Sequence, residues 1–382
     1  MKLMHISDLH LGKTVNGFRM TDDQRYILGQ LINITRTEAP DAVLIAGDVY
    51  DKPQPPTDAV ELFDTFLHEL SQLADHIFVI SGNHDSAERI AFGARLMNPS
   101  GVHMSPVYSG EVTPFTLTDE YGAVDIFMLP FVKPANIRHI FPDENAETYT
   151  DAVRAAIRRM NIDPEHRSVI ITHQFVTGAV RSDSETVSVG GSDNVDASVF
   201  CEFDYVALGH LHAPQSVGEN RIRYCGSPLK YSFSECEQTK SVSIAELGRK
   251  GDLSLRTVPL KPRFDMREIR GAYNELTLKS SYGAGGQNDY LHITLTDEED
   301  VPNAMAKLSL IYPRLMKFDY ENTRTARNND IEATVELHEQ APIELLNRFY
   351  ELQNNNRMDE GQERLAAALI KKIWEKENEA QK

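Results

Sequence analysis

Short apolar runs alternate with amphipathic stretches through the first 260 residues of the chain. The runs are three to five residues long and rich in β-branched residues, which is typical of strands buried on both faces of a sheet. Five of them lie at 3–6, 42–46, 77–80, 169–171 and 205–208. The amphipathic stretches predict helices at 22–37, 57–73, 87–96 and 148–160. This alternation predicts an α/β fold.

After residue 171 the pattern changes to short strands separated by turns, such as 242–247 and 251–258. These strands predict a strand-rich closing layer. Together with the earlier strands, they predict a two-sheet sandwich flanked by helices.

A break follows Pro262, and a smaller unit with strand–helix–strand order begins there. Its strands are predicted at 289–295 and 315–320, and its helix at 301–312. Beyond this unit the chain becomes polar and low in apolar residues, which is typical of a linker. We therefore divide the chain into a main domain at 1–262, a small α+β domain at 263–325, a linker at 326–341 and a helical tail at 342–382.

Two stretches of the tail each place apolar side chains on one helical face. The first face carries Ile343, Leu346, Phe349 and Tyr350, and the second carries Leu365, Leu369, Ile370, Ile373 and Trp374. Such faces either pack against the chain itself or bind a partner.

The amino-acid composition is typical of an ordinary soluble protein. The chain has 382 residues, of which 41% are hydrophobic, and a mean hydropathy of −0.39. No apolar stretch approaches the ~18–20 residues of a membrane helix, and the first residues do not resemble a signal peptide. The cysteines Cys201, Cys225 and Cys236 are odd in number and lack C-x-x-C spacing. We therefore expect reduced thiols and a cytoplasmic location.

The net charge of −18 argues against a protein that binds nucleic acid tightly on its own, because such proteins neutralise phosphates with a basic surface. Divalent ions would add positive charge at a site that receives a phosphate. A DNA-binding partner could supply the remaining affinity. The charge therefore restricts the class of DNA enzyme without excluding one.

Seven potential metal ligands directly follow, or lie just beyond, the five apolar runs. They are Asp8, His10, Asp48, Asn83, His173, His210 and His212. Side chains at the carboxyl ends of neighbouring strands converge on one rim of an α/β sheet. Oxygen and imidazole donors without thiolate favour Mn²⁺, Mg²⁺ or Fe²⁺ over a structural zinc. Seven ligands suit two ions, roughly 3.5–4 Å apart, that share a carboxylate.

The motifs D-L-H (8–10), G-D-V-Y-D (47–51), G-N-H-D (82–85), T-H-Q (172–174) and G-H-L-H (209–212) occur in an order that resembles the calcineurin-like metallophosphoesterases. Three further segments, 184–191, 205–215 and 223–235, resemble the SbcD family, the nuclease subunits of bacterial SbcC–SbcD DNA-repair complexes. The resemblance is strong over about the first 260 residues. It implies a two-sheet metallophosphoesterase sandwich with a small α+β capping domain and C-terminal helices.

The resemblance also implies a role for each motif residue. One ion would be held by Asp8, His10 and His212, the other by Asn83, His173 and His210, and Asp48 would bridge both. His84 would stabilise the transition state or protonate the leaving oxygen, with Asp85 as its orienting partner. Phe131 and Tyr231 are interpreted as packing residues.

The resemblance implies a Mn²⁺-dependent DNA nuclease with 3′→5′ exonuclease and endonuclease action, including on hairpins or blocked ends. Its implied partners are DNA, an SbcC-like SMC-type ATPase in a heterotetramer, and a second copy of the chain. One alternative is a phosphoesterase that acts on small nucleotides, and another is a weakly catalytic repair scaffold. A protein phosphatase is disfavoured, because Lys52 and Pro53 follow G-D-V-Y-D where that class carries arginine and glycine.

Overall fold

The computed structural model describes residues 1–185, 193–282, 286–322, 346–347, 350, 358 and 361–370. The chain separates into two compact units, Met1–Arg267 and Glu268–Lys382. None of the helices within the described ranges is both long and apolar enough to cross a bilayer.

The strands of the first unit are β1 (Lys2–Ile6), β2 (Thr14–Val15), β3 (Phe18–Arg19), β4 (Ala42–Ala46), β5 (His76–Ile80), β6 (Val102–Met104), β7 (Phe115–Asp119), β8 (Gly122–Leu129), β9 (Arg167–His173), β10 (Phe175–Val176), β11 (Asn194–Val195), β12 (Tyr205–Gly209), β13 (Gln215–Val217), β14 (Glu219–Tyr224), β15 (Ser241–Leu247) and β16 (Leu253–Pro259). Its α-helices are α1 (Thr21–Glu38), α2 (Thr57–Ser71), α3 (Ala87–Ile90), α4 (Ala94–Met97), α5 (Pro134–Ile140) and α6 (Tyr149–Ile157).

Two six-stranded sheets form the first unit, with strand orders β16-β15-β1-β4-β5-β6 and β13-β14-β12-β9-β8-β7. In the first sheet, β1, β4, β5 and β6 are parallel. In the second, β8, β9, β12 and β14 are parallel. The registers pair Ile6 with Ile45 and Gly209 with His173. The strands that precede the candidate ligands therefore end level with their neighbours.

The core lies between the sheets, where alternate residues of each strand interlock. From the first sheet come Leu44 and Ile80, and from the second come Ile126, Ile171 and Ala207, all fully buried. Burying a Leu or Ile side chain contributes roughly 1.5–3 kcal/mol, so this layer fixes the two sheets against each other. The predicted two-sheet α/β sandwich is confirmed.

Helix α6 covers the outer face of the second sheet. Its residues Val153 and Ala156 belong to the same buried cluster as Ile170 and Val206. The helix begins at Thr148, whose hydroxyl accepts a hydrogen bond from the Asp151 N–H at 3.1 Å, while the Asp151 carboxylate accepts one from the Thr148 N–H. This capping box satisfies otherwise unpaired N–H groups at the helix start.

Two local predictions differ from the structure. The helix predicted at 87–96 is divided into α3 and α4, because Gly93 adopts a φ of 76° that a helix cannot continue through. The strands β15 and β16 do not form a separate closing layer. They extend the first sheet, since β15 pairs with β1 in antiparallel register, with Leu3 opposite Ala245, and satisfies the edge of β1 that β4 leaves open.

The second unit contains β17 (Met266–Gly271), α7 (Tyr273–Leu276), α8 (Lys279–Tyr282), β18 (Tyr290–Leu295), α9 (Ala304–Ile311) and β19 (Leu315–Tyr320). The strands form one sheet in the order β17-β18-β19. Leu291 and Ile293 pack against Leu308 of α9 in a buried cluster. This is the small α+β arrangement that the sequence predicts.

The boundaries at 262, 325 and 341 stay predictions, and the linker at 326–341 lies outside the described residues. So do Ile343, Phe349, Ile373 and Trp374 of the predicted tail faces. Residues 361–370 are helical, and within them Leu365 is 63% exposed and Leu369 is 51% exposed.

Candidate metal centre

The seven candidate ligands lie at the carboxyl ends of five parallel strands. Asp8 and His10 follow β1, Asp48 follows β4, Asn83 follows β5, His173 ends β9, and His210 and His212 follow β12. All are buried except Asn83, which is half-buried. The structure therefore brings the whole predicted set together at one rim.

The backbone is strained in the loops that carry these residues. Asp8, His10, Asp48 and His210 have φ values of 53°, 45°, 47° and 104°, a region that residues with a Cβ adopt only at a cost of about 1–3 kcal/mol each. Two hydrogen bonds brace the first loops against each other, from the Asp8 N–H to the Gly47 carbonyl at 3.1 Å and from the His10 N–H to the Asp48 carbonyl at 2.9 Å. Such strain is typical of functional sites.

Two glycines allow the loops to approach this closely. A Cβ on Gly82 would lie 2.2 Å from Oδ1 of Asp48, and a Cβ on Gly47 would lie 2.6 Å from Nδ1 of His173. Neither distance is possible between real atoms, so both positions require glycine. A steric requirement therefore explains why glycine precedes Asp48 and Asn83 in their motifs.

One group of donors consists of Asp8, His10 and His212. Their donor atoms all lie within 4.8 Å of one another, and Nε2 of His10 lies 3.1 Å from Nε2 of His212. The Asp8 carboxylate is held by the Ser7 hydroxyl at 2.5 Å and by the His210 N–H at 3.1 Å. Two imidazole nitrogens that face each other beside a carboxylate suit a shared cation.

A second group surrounds Asn83. Its Oδ1 lies 2.9 Å from Nε2 of His173 and 2.9 Å from Nδ1 of His210. Oδ2 of Asp48 lies 3.2 Å from Nε2 of His173 and 3.8 Å from Nε2 of His10. Asp48 thus stands between the two groups, where a bridging carboxylate would be.

Burial and mutual charge shift the pKa values of these residues. Burial raises the pKa of Asp8 to about 7, and the negative charge of Asp48 adds to the effect. For Asp48, burial is outweighed by the positive charge of His173, which holds its pKa well below the usual range. For His173, burial is likewise outweighed by the charge of Asp48, which raises its pKa to about 9. Without a cation, Asp48 and His173 therefore form a buried ion pair.

The imidazoles of His10, His210 and His212 stay neutral. Burial lowers the pKa of His10 and of His212, and it lowers the pKa of His210 to about 3. Neutral imidazole and ionised carboxylate are the forms that bind metal. Nitrogen and oxygen donors without sulfur, in two groups with one carboxylate between them, fit two divalent cations.

His84 and Asp85 follow Asn83 directly but face different partners. His84 lies edge-on to the His10 ring, 4.9 Å between centroids, and its Nδ1 lies 3.1 Å from the Asp51 carbonyl oxygen. Asp85 accepts hydrogen bonds from the N–H groups of Val49, Tyr50 and Gly82 at 2.9–3.1 Å. Through these contacts Asp85 joins the loop after β4 to the loop after β5. The orientation of His84 by Asp85 stays a prediction.

Tyr231 packs as expected and is also part of the site. It is buried, its hydroxyl donates to the Leu9 carbonyl at 2.6 Å, and its ring meets those of His10 and His212 edge-on. Ser184, Glu185, Glu235 and Lys240 lie behind His212 and were not identified from the sequence. The available signal was that Ser184, Glu185 and Glu235 belong to the segments 184–191 and 223–235.

A cavity of about 190 Å³ adjoins the second group of donors. It is lined by Asn83, Phe131, Lys133, Tyr149, Phe175, Asp193 and His210. The ammonium of Lys133 lies 5.6 Å from the centroid of the half-buried Phe131 ring. Phe131 therefore borders open space as well as packing, and the cavity offers aromatic rings, the Lys133 ammonium and the Asp193 carboxylate beside the donors.

The comparisons with known proteins agree with this geometry. The family described as calcineurin-like phosphoesterase matches residues 1–214, and the type 5 capsule protein repressor C-terminal domain matches residues 262–354. The SbcD component of the nuclease SbcCD from Staphylococcus epidermidis is 32% identical to this chain over 381 residues, which are 99% of this chain and 100% of that protein.

Two solved structures are distant neighbours at 12% identity. GAP50, the anchor in the inner membrane complex of Plasmodium, has a TM-score of 0.40 and covers 83% of this chain and 96% of its own. A dimetal phosphatase from Danio rerio has a TM-score of 0.41 and covers 67% of this chain and 95% of its own. Scores this low add no support, so the family assignment rests on the sequence matches.

Proposed function

The chain belongs to the SbcD family within the calcineurin-like phosphoesterases, and from this premise we propose that it is a Mn²⁺-dependent DNA nuclease that works with an SbcC-like ATPase in DNA repair and recombination. The proposed activities are 3′→5′ exonuclease and endonuclease cleavage, including at hairpins or blocked ends. Both activities are hydrolyses of a phosphodiester bond.

The position of Asp48 carries the proposal. Its Oδ2 lies within 3.8 Å of His10 from one donor group and within 3.2 Å of His173 from the other. A carboxylate between two groups of nitrogen and oxygen donors is what a pair of divalent ions requires. Asp8, His10 and His212 would hold one ion, and Asn83, His173 and His210 the other. Bound there, the ions would neutralise phosphate oxygens and lower the pKa of an attacking water.

The chain's own residues would complete the chemistry. Because the Nδ1–H of His84 donates to the Asp51 carbonyl, Nε2 is the nitrogen that gains or loses a proton. Protonated there, His84 would stabilise the charge that develops on the phosphate and give its proton to the leaving oxygen. Asp48 would stay ionised throughout, since its lowered pKa keeps it a ligand at neutral pH.

The cavity beside Asn83 and His210 supports a nucleic acid substrate. Phe131 and Tyr149 present aromatic rings, on which bases of any sequence can stack. Lys133 adds a cation that could contact a phosphate. A volume of about 190 Å³ is small, so it would receive one nucleotide at the end of a strand. That geometry also suits the alternative substrate, a free nucleotide.

A second copy of the chain is the other proposed partner. Phe92 and Leu96, around the break between α3 and α4, are 83% and 85% exposed. Two large apolar side chains exposed near each other in the chain would suit a contact with a second copy, if they form one patch. Together with an ATPase dimer, such a pair would give the proposed heterotetramer. Sedimentation of wild type and of Phe92→Ser would test the dimer, which the substitution should weaken.

Cleavage assays test the proposed activity. We would incubate the protein with linear and hairpin duplexes, with and without the ATPase partner, in Mn²⁺ and in Mg²⁺. We expect cleavage of both substrates with the partner and faster cleavage in Mn²⁺. The control is Asp22→Asn, because Asp22 is 81% exposed and lies outside the centre. Hydrolysis of nucleotides without cleavage of DNA would favour the small-nucleotide alternative, and metal-independent DNA binding without hydrolysis would favour the scaffold.

A further inference from the structure

A buried polar network lies behind His212, on the side of its ring away from His10. Glu235 is fully buried, Lys240 is 4% exposed and Glu185 is 8% exposed. Charged side chains are rarely buried to this degree unless they are paired. Because the proposed reaction does not use these groups directly, their burial needs another explanation.

The network holds Nδ1 of His212 through a short relay. Nδ1 lies 2.6 Å from Oγ of Ser184, and Oγ lies 2.5 Å from Oε1 of Glu235. The direct distance from Nδ1 to Oε1 is 3.3 Å. A carboxylate can only accept, so the Ser184 hydroxyl donates to Glu235 and the Nδ1–H of His212 donates to Ser184. This direction leaves the lone pair of His212 on Nε2, which faces His10.

The backbone of His212 is held as firmly as its ring. Its N–H donates to Oε1 of Glu185 at 2.6 Å, and its carbonyl accepts from the Lys240 ammonium at 2.8 Å. Every polar atom of His212 except Nε2 is therefore fixed by this network. Rotation of the ring would break the bond from Nδ1 to Ser184, whose hydroxyl is bonded to the buried Glu235 carboxylate.

Lys240 is the counter-ion of Glu235. Its ammonium lies 2.5 Å from Oε2 of Glu235 and also contacts Ser227 and Gln238 at 3.1 and 2.8 Å. A buried pair of this kind carries a large desolvation cost, and replacing it with apolar residues is often neutral for stability. The pair is therefore better explained by what Glu235 does to His212 than by stability alone.

We propose that Glu235 is a positioning residue that fixes the tautomer and orientation of His212, with Lys240 as the counter-ion that keeps Glu235 in place. The proposal rests on the proposed function in one respect, namely that His212 binds a metal ion. It also distinguishes His212 from His173, because Nδ1 of His173 lies 2.8 Å from the neutral Ala46 carbonyl and not beside a carboxylate in the described part of the chain. An anionic partner makes an imidazole a stronger metal ligand.

Two variants of the full chain test the proposal. Glu235→Gln removes the charge of the acceptor and leaves Lys240 unpaired. Glu235→Gln combined with Lys240→Met removes both charges, so a folded protein without the carboxylate is available even if the single variant unfolds. Glu144→Gln is the matched control, because Glu144 forms a 2.7 Å ion pair with Arg159 that is about 30% exposed and lies outside the centre.

The first measurement is calorimetric titration with Mn²⁺. We expect the affinity for one of the two ions to fall by about 10–100-fold, the usual effect of losing such a partner, while the other ion binds as in wild type. The second measurement is the ¹⁵N spectrum of the metal-free protein labelled at histidine. We expect wild type to show a His212 protonated at Nδ1 and the variants to show a mixture of both tautomers.

Wild-type affinity for both ions together with an unchanged Nδ1–H signal in a folded variant would overturn the proposal. A different result would overturn the proposed nuclease function: wild type binds Mn²⁺ at both positions and cleaves no DNA. If wild type bound no Mn²⁺ at all, the proposed function would fail, and the tautomer of metal-free His212 would still decide whether Glu235 positions it.

Discussion

The backbone N–H of His84 donates a hydrogen bond to Oδ1 of Asp48 at 2.8 Å. The proposed proton donor and the proposed bridging ligand are therefore joined through the main chain, not through the imidazole. The other oxygen, Oδ2, lies between His10 and His173. A substitution at position 84 can thus alter the chemistry and leave Asp48 in place.

His84→Gln should abolish most of the activity without loss of metal. The backbone hydrogen bond to Asp48 remains in this variant, while the imidazole and its Nδ1–H bond to the Asp51 carbonyl are lost. We expect cleavage of linear DNA to slow by roughly 10²–10⁴-fold, the usual effect of removing a positioned acid–base group. Calorimetric titration with Mn²⁺ should give two ions with wild-type affinity. Loss of an ion would mean that His84 is a ligand.

Asp48→Ala should also abolish cleavage, but through loss of the metal ions. Removing the carboxylate between the two donor groups takes a ligand from both ions, and it leaves His173 without the charge that raises its pKa to about 9. We expect weaker binding of both ions and no detectable cleavage. Metal content after dialysis measures the first effect. Loss of one ion with full retention of the other would show that Asp48 does not bridge.

The positions of the candidate ligands could be predicted because each follows a buried strand, and parallel strands end at a common edge. Helices and strands could also be predicted from the local pattern of hydrophobic residues. The strand predicted at 289–295 is Tyr290–Leu295, and the helix predicted at 57–73 is Thr57–Ser71. Apolar periodicity sets these elements, and periodicity is visible in a single sequence.

The hydrogen bonds of the network behind His212 could not be predicted, because they join distant parts of the chain. Ser184 and Glu235 are 51 residues apart, and no spacing rule relates them. The φ values at Asp8 and Asp48 are also invisible in the sequence, since hydrogen bonds between loops impose them. Side-chain packing decides such features, and it follows from the assembled fold.

Arg167 holds the two sheets together at the other end of β9 from His173. It is 2% exposed, and it donates to both carboxylate oxygens of Asp119, at 2.5 and 3.0 Å. It also donates to the carbonyls of Gly122 at 2.7 Å and Gly248 at 2.9 Å. Gly122 belongs to the second sheet, while Gly248 follows β15 of the first, so one guanidinium links both.

Asp119→Asn should therefore destabilise the fold in a pH-dependent way. The hydrogen bonds from Arg167 lower the pKa of Asp119, so its contribution is complete above the unfolded pKa of about 4 and is lost as pH falls towards the folded pKa. At pH 7 we expect the free energy of unfolding to fall by about 3 kcal/mol. Urea denaturation should show this difference narrowing below pH 4. A constant difference between pH 7 and pH 3 would contradict the assignment.

Phosphomonoesters should be poor substrates. Phosphatases of this superfamily continue the G-D-x-x-D motif with an arginine that grips the phosphate, whereas Lys52 follows Asp51 here. The Asp51 carboxylate is itself paired with Lys13 at 2.6 Å. We expect kcat/KM for a DNA end to exceed that for p-nitrophenyl phosphate by more than about tenfold, or ~1.4 kcal/mol of transition-state binding. Equal values for DNA and nucleoside monophosphates would favour the small-nucleotide alternative.

The tail should be needed for the ATPase and not for the nuclease. Within the helical residues 361–370, Leu365 and Leu369 are four positions apart, so they share one face, and both are more than half exposed. Exposed leucines on one helical face are the anchors that a helix inserts into an apolar groove or onto a coiled coil. The polar linker predicted at 326–341 would let this face extend to a partner.

Removing residues 341–382 should thus leave a folded nuclease with basal activity and no stable ATPase complex. The narrower test is Leu365→Ser with Leu369→Ser, which should weaken co-purification with the ATPase and leave the melting temperature unchanged. Leu310→Ser is the matched control, because Leu310 is an 88% exposed leucine of α9 in the same unit. If the truncated chain still co-purifies with the partner, the docking role is wrong. If truncation unfolds the protein, the tail packs against the chain itself, because only a face that is buried in the free protein can stabilise it.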